Sequence, residues 1–183
     1  MFVNEDKPSF TAIQWFNKGY DYDVKEDYDN AIFAYTKAIE LNPLDADAYT
    51  NRGAVYDTKG EFDLAITDYT KAIELNPQDM DAYTNRGVIY DTKEEYDLAI
   101  TDYTKALEID PQHADSYSYR GNAYFNKGQY DLAISDYNQM IEFNPGAVEV
   151  YKNIVFACEK SGNYTSSQID VVRQKVRDLG GQF

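Results

Sequence analysis

The feature that most constrains this chain is a sequence repeat of 34 residues. Residues 46–79 and 80–113 align without a gap and agree at 25 of 34 positions. The same register continues into residues 12–45 and 114–147, and a degenerate copy begins at residue 148. Repeats of this length are typical of arrays in which each copy buries an apolar face against its neighbours. We therefore expect a stacked array of similar units.

Each copy has the pattern of two helices separated by a short break. In the second copy we predict helices over about 46–59 and 62–75. Tyr49 and Tyr56 share one face of the first of these helices at helical spacing. Pro77 follows the second helix, and proline disfavours helical conformation in the residue before it. The chain is thus predicted to be all-α.

Charge and composition exclude several functional classes. The 183 residues include 17 Lys and Arg and 32 Asp and Glu, which gives a net charge of −15. This excess argues against nucleic acid, whose binding needs a basic footprint, and against an anionic membrane surface. The single cysteine, Cys158, allows no internal disulfide and favours a reducing, cytoplasmic location. With one histidine, His113, and no glycine-rich phosphate loop, we predict no enzymatic activity, no metal and no cofactor.

The repeat resembles the tetratricopeptide repeat. The positions that carry the resemblance are 4, 8, 11, 20, 24, 27 and 32, which in the second copy are Tyr49, Gly53, Tyr56, Ala65, Tyr69, Ala72 and Pro77. The resemblance covers about three-quarters of the chain. It implies a right-handed superhelical array of antiparallel helix pairs. Its concave face would be lined by the first helix of each pair and would bind a peptide or a partner protein.

The resemblance also divides the chain. The expected segments are a lead-in at 1–11, repeats at 12–45, 46–79, 80–113 and 114–147, and a degenerate fifth pair at 148–183. We expect Phe10 of the lead-in to pack on the first repeat. The second helix of the fifth pair, near 165–179, is interpreted as a polar-backed cap over the last apolar face. Alternatively, this basic amphipathic helix binds a partner or another copy of the chain.

Differences between the copies point to a recurring ion pair. Copies with arginine at position 7 have aspartate at position 23, and these are Arg52 with Asp68, Arg86 with Asp102, and Arg120 with Asp136. We predict that each arginine pairs with the aspartate across its own helix pair, as a structural contact that fixes register. The fifth pair departs from this pattern, because Ile154 stands at position 7 and Asp170 at position 23.

The concave positions implied by the family supply the candidate binding residues. We select ten of them, which are Asn17, Tyr20, Thr50, Asn51, Asp57, Thr84, Asn85, Asp91, Tyr119 and Asn122. The three asparagines at position 6 resemble the ladder in arrays that precede protein O-linked sugar transferases. There a carboxamide can both donate to and accept from a peptide backbone. Asparagine is also common at this position, so a purely structural role stays open.

Two aspartates are the strongest candidates for binding a cation. Asp57 and Asp91 fall in the last turn of their helices, where the helix dipole disfavours an acid. The groove differs from repeats that hold the C-terminal carboxylate of large cytosolic heat-shock chaperones. Of five clamp positions only Asn51 agrees, and Asp81 stands where the clamp has lysine. We therefore predict against that ligand.

Together these features favour a non-enzymatic interaction module that binds an extended, basic or polar peptide in its concave groove. One alternative is a self-assembling structural unit, a homo-oligomer. In it the terminal segment 148–183, with a net charge of +1, docks on the acidic groove of another copy. Another alternative is that the chain is the repeat region of a larger complex.

Overall fold

The computed structural model describes residues 10–182, which form ten α-helices and, within that range, no β-strand. Their bounds are α1 Ala12–Asp23, α2 Tyr28–Leu41, α3 Ala46–Thr58, α4 Phe62–Leu75, α5 Met80–Thr92, α6 Tyr96–Ile109, α7 Ala114–Asn126, α8 Tyr130–Phe143, α9 Val148–Ser161 and α10 Ser166–Asp178. The all-α prediction is confirmed, and the helices alternate in the predicted pairs. None of these helices has the length and apolar character needed to cross a bilayer.

The chain divides into two compact units, Met1–Arg86 and Gly87–Phe183, and the division falls within α5. The described part of the first unit contains α1 to α4 and the first half of α5. The second unit contains the rest of α5 and the helices α6 to α10. Antiparallel helix pairs recur in both, with α1 on α2 and α3 on α4 in the first unit, and α7 on α8 and α9 on α10 in the second.

In each of the four full repeats a glycine lies opposite a buried tyrosine and lets the paired helices pack closely. Tyr69 of α4 and Tyr137 of α8 are almost completely buried. A Cβ atom placed on Gly53 would lie 3.0 Å from the Tyr69 ring, and one on Gly121 would lie 2.7 Å from the Tyr137 ring. Only glycine lets the two helices approach this closely without displacing the ring. The recurring tyrosines are therefore packing residues, as their spacing predicts.

An arginine links three helices in each unit. Arg52 donates two hydrogen bonds to Asp68 across its hairpin, at 2.7 and 2.8 Å, and a third to Thr36 of the preceding pair at 2.9 Å. Arg120 does the same with Asp136, at 2.8 Å twice, and with Thr104 at 3.0 Å. The predicted pairing is confirmed for these two hairpins. The threonine contact shows that the arginine also joins successive pairs.

The turns between paired helices need a left-handed residue. Gly60 and Gly128 have φ values of 75° and 78° at the end of α3 and α7. Glu26 and Glu94 occupy the same place after α1 and α5 with φ of 60°. An L-residue in this conformation is strained because its Cβ approaches the following carbonyl oxygen. The turns after α1 and α5 are therefore built at a cost to stability.

In the terminal hairpin, apolar residues stand where the α3–α4 and α7–α8 hairpins have the arginine and its aspartate partner. Thr165 and Gln168 form a capping box, so α10 begins at Ser166, two residues later than the repeat register. Counted from the helix starts, Asp136 of α8 then matches Val172 of α10, not Asp170 as the sequence register indicates. Position 7 is Ile154, so the missing arginine is matched by a missing aspartate.

A cavity lies at the place that the arginine contacts occupy in the earlier hairpins. It has a volume of about 540 Å³ and is lined by Ile154, Val172 and Asn138, which stand in the places of the arginine, the aspartate and the threonine. Asp170 instead pairs with Arg173 one turn away, at 2.9 Å. Ile169 and Val176 of α10 are buried, and the interpretation of this helix as a cap stays a prediction.

The described end of the lead-in packs on the first helix. The rings of Phe10 and Trp15 lie 5.2 Å apart, edge to face, and the Lys18 ammonium lies 4.6 Å from the centre of the Phe10 ring. Thr11 caps α1 in a box with Gln14. The expected packing of Phe10 is confirmed. The rest of the predicted lead-in, residues 1–9, lies outside the described residues.

Candidate functional site

The faces of α1, α3, α5 and α7 that carry the ten candidates are called the first-helix surface here, and each unit presents its own part. In the first unit Asn17 and Tyr20 are exposed, and Asn51 and Asn85 are half-buried. Asn51 donates one amide hydrogen to the carbonyl oxygen of Asp47 at 2.7 Å. This bond leaves its amide oxygen as an acceptor.

The two threonines of the first unit are engaged in the fold. The hydroxyl of Thr50 donates to the carboxylate of Asp79 at 2.6 Å. The other oxygen of that carboxylate accepts from the backbone N–H of Ala82 at 2.9 Å and so caps the start of α5. Thr84 is buried, with 7% of its surface exposed. A role in ligand binding for Thr50 and Thr84 stays a prediction.

The last turns of α1 and α3 carry aspartates without a cation. Asp23 of α1 and Asp57 of α3 are half-buried, and burial raises the pKa of each carboxyl above its usual value. Neither forms an ion pair with any residue in 10–182. The helix dipole adds to the cost, because it places partial negative charge at this end of the helix.

In the second unit the corresponding aspartate lies in a pocket. Asp91, in the last turn of α5, borders a cavity of about 320 Å³. Helices α7, α8 and α9 supply its other walls, which are Asn122, Phe125, Asn126, Tyr137, Asn153 and Phe156. The pocket thus brings two of the ten candidates, Asp91 and Asn122, together with aromatic and carboxamide side chains.

The Asp91 carboxylate is poorly compensated inside this pocket. Its Oδ1 atom is buried and has no hydrogen-bond partner. Burial raises the pKa of the Asp91 carboxyl, which reports the cost of desolvating its charged form. Burial and the charge of Asp91 also raise the pKa of the Tyr103 hydroxyl. The site therefore carries a negative charge that no group in the described chain neutralises.

The remaining candidates of the second unit differ in their surroundings. Asn122 accepts a hydrogen bond from the Tyr137 hydroxyl at 2.8 Å, which leaves its amide hydrogens for another acceptor. Tyr119 is 37% exposed and its ring lies 5.7 Å from that of Tyr103, outside the pocket. The sequence places Phe125, Asn126, Asn153 and Phe156 on the same helix faces but gives no reason to select them. The sequence identifies Tyr137 only as a packing residue and not as part of a site.

Comparisons with known proteins agree with the architecture. The model of the family described as tetratricopeptide repeat matches residues 12–44, 46–79, 81–113 and 114–146. A solved structure of MamA superposes with a TM-score of 0.86 at 26% identity, over 92% of this chain and 91% of that chain. MamA from Desulfovibrio magneticus RS-1 gives 0.83 at 17% identity, over 92% and 94%. YrrB, described as a TPR protein with an unusual peptide-binding site, gives 0.82 at 23% identity, over 92% and 86%. A search of curated proteins found no match.

Proposed function

This chain belongs to the tetratricopeptide repeat family, and we propose that it is a non-enzymatic module that binds an extended, basic or polar segment of a partner protein on its first-helix surface. The observation that carries the proposal is the recurrence of Asp23, Asp57 and Asp91 at one repeat position. All three are half-buried and have no cationic partner within residues 10–182. A charge placed at such a cost suits a ligand that supplies the opposite charge.

Acids elsewhere in the hairpins support this interpretation by contrast. Asp68 and Asp136 are each held by two hydrogen bonds from an arginine. Asp29 at the start of α2 is paired with Lys59, and Asp97 at the start of α6 with Lys127. The fold supplies cations to these acids, whereas Asp23, Asp57 and Asp91 are half-buried without one. The potential of these three aspartates would attract a basic segment and raise the association rate.

The asparagines give the same surface a means to hold a backbone. Asn51 and Asn85 occupy the same position in successive repeats, and each carboxamide can donate and accept at once. A hydrogen bond of this kind contributes about 0.5–1.5 kcal/mol. Two or three of them would orient an extended chain without selecting its sequence. Tyr20 of α1, which is 56% exposed, offers an aromatic contact on the first-helix surface.

The proposal is tested by fluorescence anisotropy with matched basic, acidic and neutral peptides of equal length. We expect the basic peptides to bind most tightly. Their affinity should fall with added NaCl, because the Debye length shrinks from about 10 Å at 0.1 M to about 3 Å at 1 M. Equal affinity for all three classes, or no effect of salt on the basic class, would contradict the electrostatic part of the proposal.

Self-assembly through the terminal helix is the other candidate. Of the three cations in the second half of α10, Arg173 is already paired with Glu159 and Asp170. Lys175 and Arg177 remain to meet the acidic surface of another copy, although Arg177 bonds Gln174 at 2.7 Å. Light scattering of the wild type and of Lys175→Glu with Arg177→Glu separates the cases. A wild-type oligomer that the double variant dissociates supports self-assembly, and a monomer in both removes it.

A further inference from the structure

The pocket around Asp91 has a chemical character that the other first-helix aspartates do not share. Its walls combine two phenylalanine rings, Phe125 and Phe156, with the carboxamides of Asn126 and Asn153. The charged group of the pocket is the Asp91 carboxylate, whose Oδ1 atom is buried and has no hydrogen-bond partner. The pocket therefore offers an anionic group within a partly apolar wall.

This combination fits one kind of side chain. A carboxylate repels an anion, and a purely apolar side chain would leave the buried oxygen unsatisfied, at a cost of about 1–3 kcal/mol. Lysine and arginine have an apolar stem that can lie along rings and a cationic end that can donate to oxygen. Aromatic faces attract the same cations through their quadrupole. The raised pKa of Asp91 agrees with a carboxylate that lacks such a partner.

The preceding repeat lacks the residues that form the α7 wall of this pocket. The wall that α7 provides consists of Asn122, Phe125 and Asn126. At the same three repeat positions α5 has Val88, Asp91 and Thr92. The aromatic and carboxamide wall thus has no counterpart at the neighbouring position.

We propose that this pocket binds the cationic side chain of one lysine or arginine of the partner segment, with the Asp91 carboxylate accepting its hydrogen bond and Phe125 and Phe156 flanking its stem. This inference rests on the proposed function and adds an anchor residue to it. The bound peptide would then be fixed in register by one basic residue, and its remaining contacts would tolerate variation.

The experiment uses single amino-acid derivatives, so that it does not depend on a peptide sequence. Full-length ¹⁵N-labelled protein is titrated with N-acetyl-lysine methylamide, its arginine counterpart, and the neutral norleucine counterpart. The signals followed are the side-chain amides of Asn122, Asn126 and Asn153 in ¹H–¹⁵N spectra. We expect saturable shifts with the lysine or the arginine derivative, and their order of affinity identifies which cation is preferred.

Two variants give the decisive comparison. Asp91→Asn keeps the shape of the side chain and removes its charge, and we expect it to weaken binding of the cationic derivative by about tenfold or more. Glu142→Gln removes the same charge from an exposed site on α8 outside the pocket and should leave the affinity within about twofold. Equal shifts with norleucine, or unchanged affinity in Asp91→Asn, would overturn the inference.

The outcome also separates this inference from the broader proposal. If basic peptides bind the wild type and Asp91→Asn equally in the anisotropy assay, the pocket inference fails and the interaction module stands. If the lysine derivative binds at the pocket while peptides of all classes bind equally, the pocket stands and the electrostatic account of the first-helix surface fails.

Discussion

Aspartate occurs in two kinds of place. The hairpin seams are the Arg52–Asp68 and Arg120–Asp136 contacts between paired helices, and their aspartates have different surroundings from those on the first-helix surface. In the seams Asp68 and Asp136 are nearly inaccessible, and each receives two short hydrogen bonds from an arginine that also reaches a threonine. On the first-helix surface Asp57 and Asp91 are half-buried, and their charge has no partner in the described chain. The contrast teaches that Asp57 and Asp91 lack the partners that the fold supplies to the two seam aspartates.

The terminal hairpin shows that the seam can be built without charge. There Ile154 and Val172 take the places of the arginine and the aspartate. Replacing a buried ion pair by apolar residues is often neutral for stability, whereas removing one partner is costly. We therefore expect the seam pairs to fix register and link successive helix pairs more than they add stability. A cavity of about 540 Å³ lies beside these apolar residues.

The largest expected effect comes from breaking a seam on one side only. Asp136→Ala leaves the half-buried Arg120 guanidinium without its carboxylate, and we expect a loss of about 3 kcal/mol in the free energy of unfolding. Urea denaturation at neutral pH measures it. Asp170→Ala is the matched control, since that exposed pair should cost less than about 1 kcal/mol. Equal losses in the two variants would mean that the Arg120–Asp136 pair matters no more to stability than the exposed pair of Asp170.

A smaller effect is expected at the turn after α5. Glu94 holds a left-handed φ of 60°, so Glu94→Gly should raise the free energy of unfolding by about 1 kcal/mol. The reverse change at the equivalent turn, Gly128→Glu, should lower it by a similar amount. Both are measured by urea denaturation. A loss of stability in Glu94→Gly would show that this acid is needed for the fold.

The smallest effect on stability is expected from replacing a first-helix aspartate, and we expect this replacement to stabilise the fold at neutral pH. Burial raises the pKa of Asp91, so the folded state binds the proton more tightly than the unfolded state. Ionisation then costs stability as pH rises above the unfolded pKa of about 3.9. Asp91→Asn should match the wild type in acid and be slightly more stable at neutral pH. Thermal unfolding across this pH range measures the difference. An Asp91→Asn variant less stable than the wild type at neutral pH would contradict the claim that the ionised carboxylate costs stability.

Much of this architecture follows from the repeat itself. The period, the helix pairs and the Arg52–Asp68 and Arg120–Asp136 pairs can be predicted because each copy repeats the same packing positions. The register of α10 could not be predicted in this way. Its start is set by the capping box of Thr165 with Gln168, a local interaction that overrides the repeat spacing.

The candidate site was predictable only in part. Asp91 can be selected from the sequence because an acid is disfavoured at the end of a helix. Its pocket cannot, since three further helices contribute walls and the burial of one carboxylate oxygen depends on how they pack. Tyr137 illustrates the limit, because its ring fills the hairpin while its hydroxyl also bonds Asn122 at the pocket.

The central claim is that the unpaired first-helix aspartates serve a cationic ligand and not the fold. The most direct test is thermal unfolding of the wild type and of Asp57→Asn with Asp91→Asn, each with and without the tightest basic peptide of the anisotropy series. A ligand that binds the folded state raises the melting temperature. We predict that the double variant alone melts no lower than the wild type and that the peptide raises only the wild-type value. A double variant that melts lower alone and is still stabilised by the peptide would contradict the account.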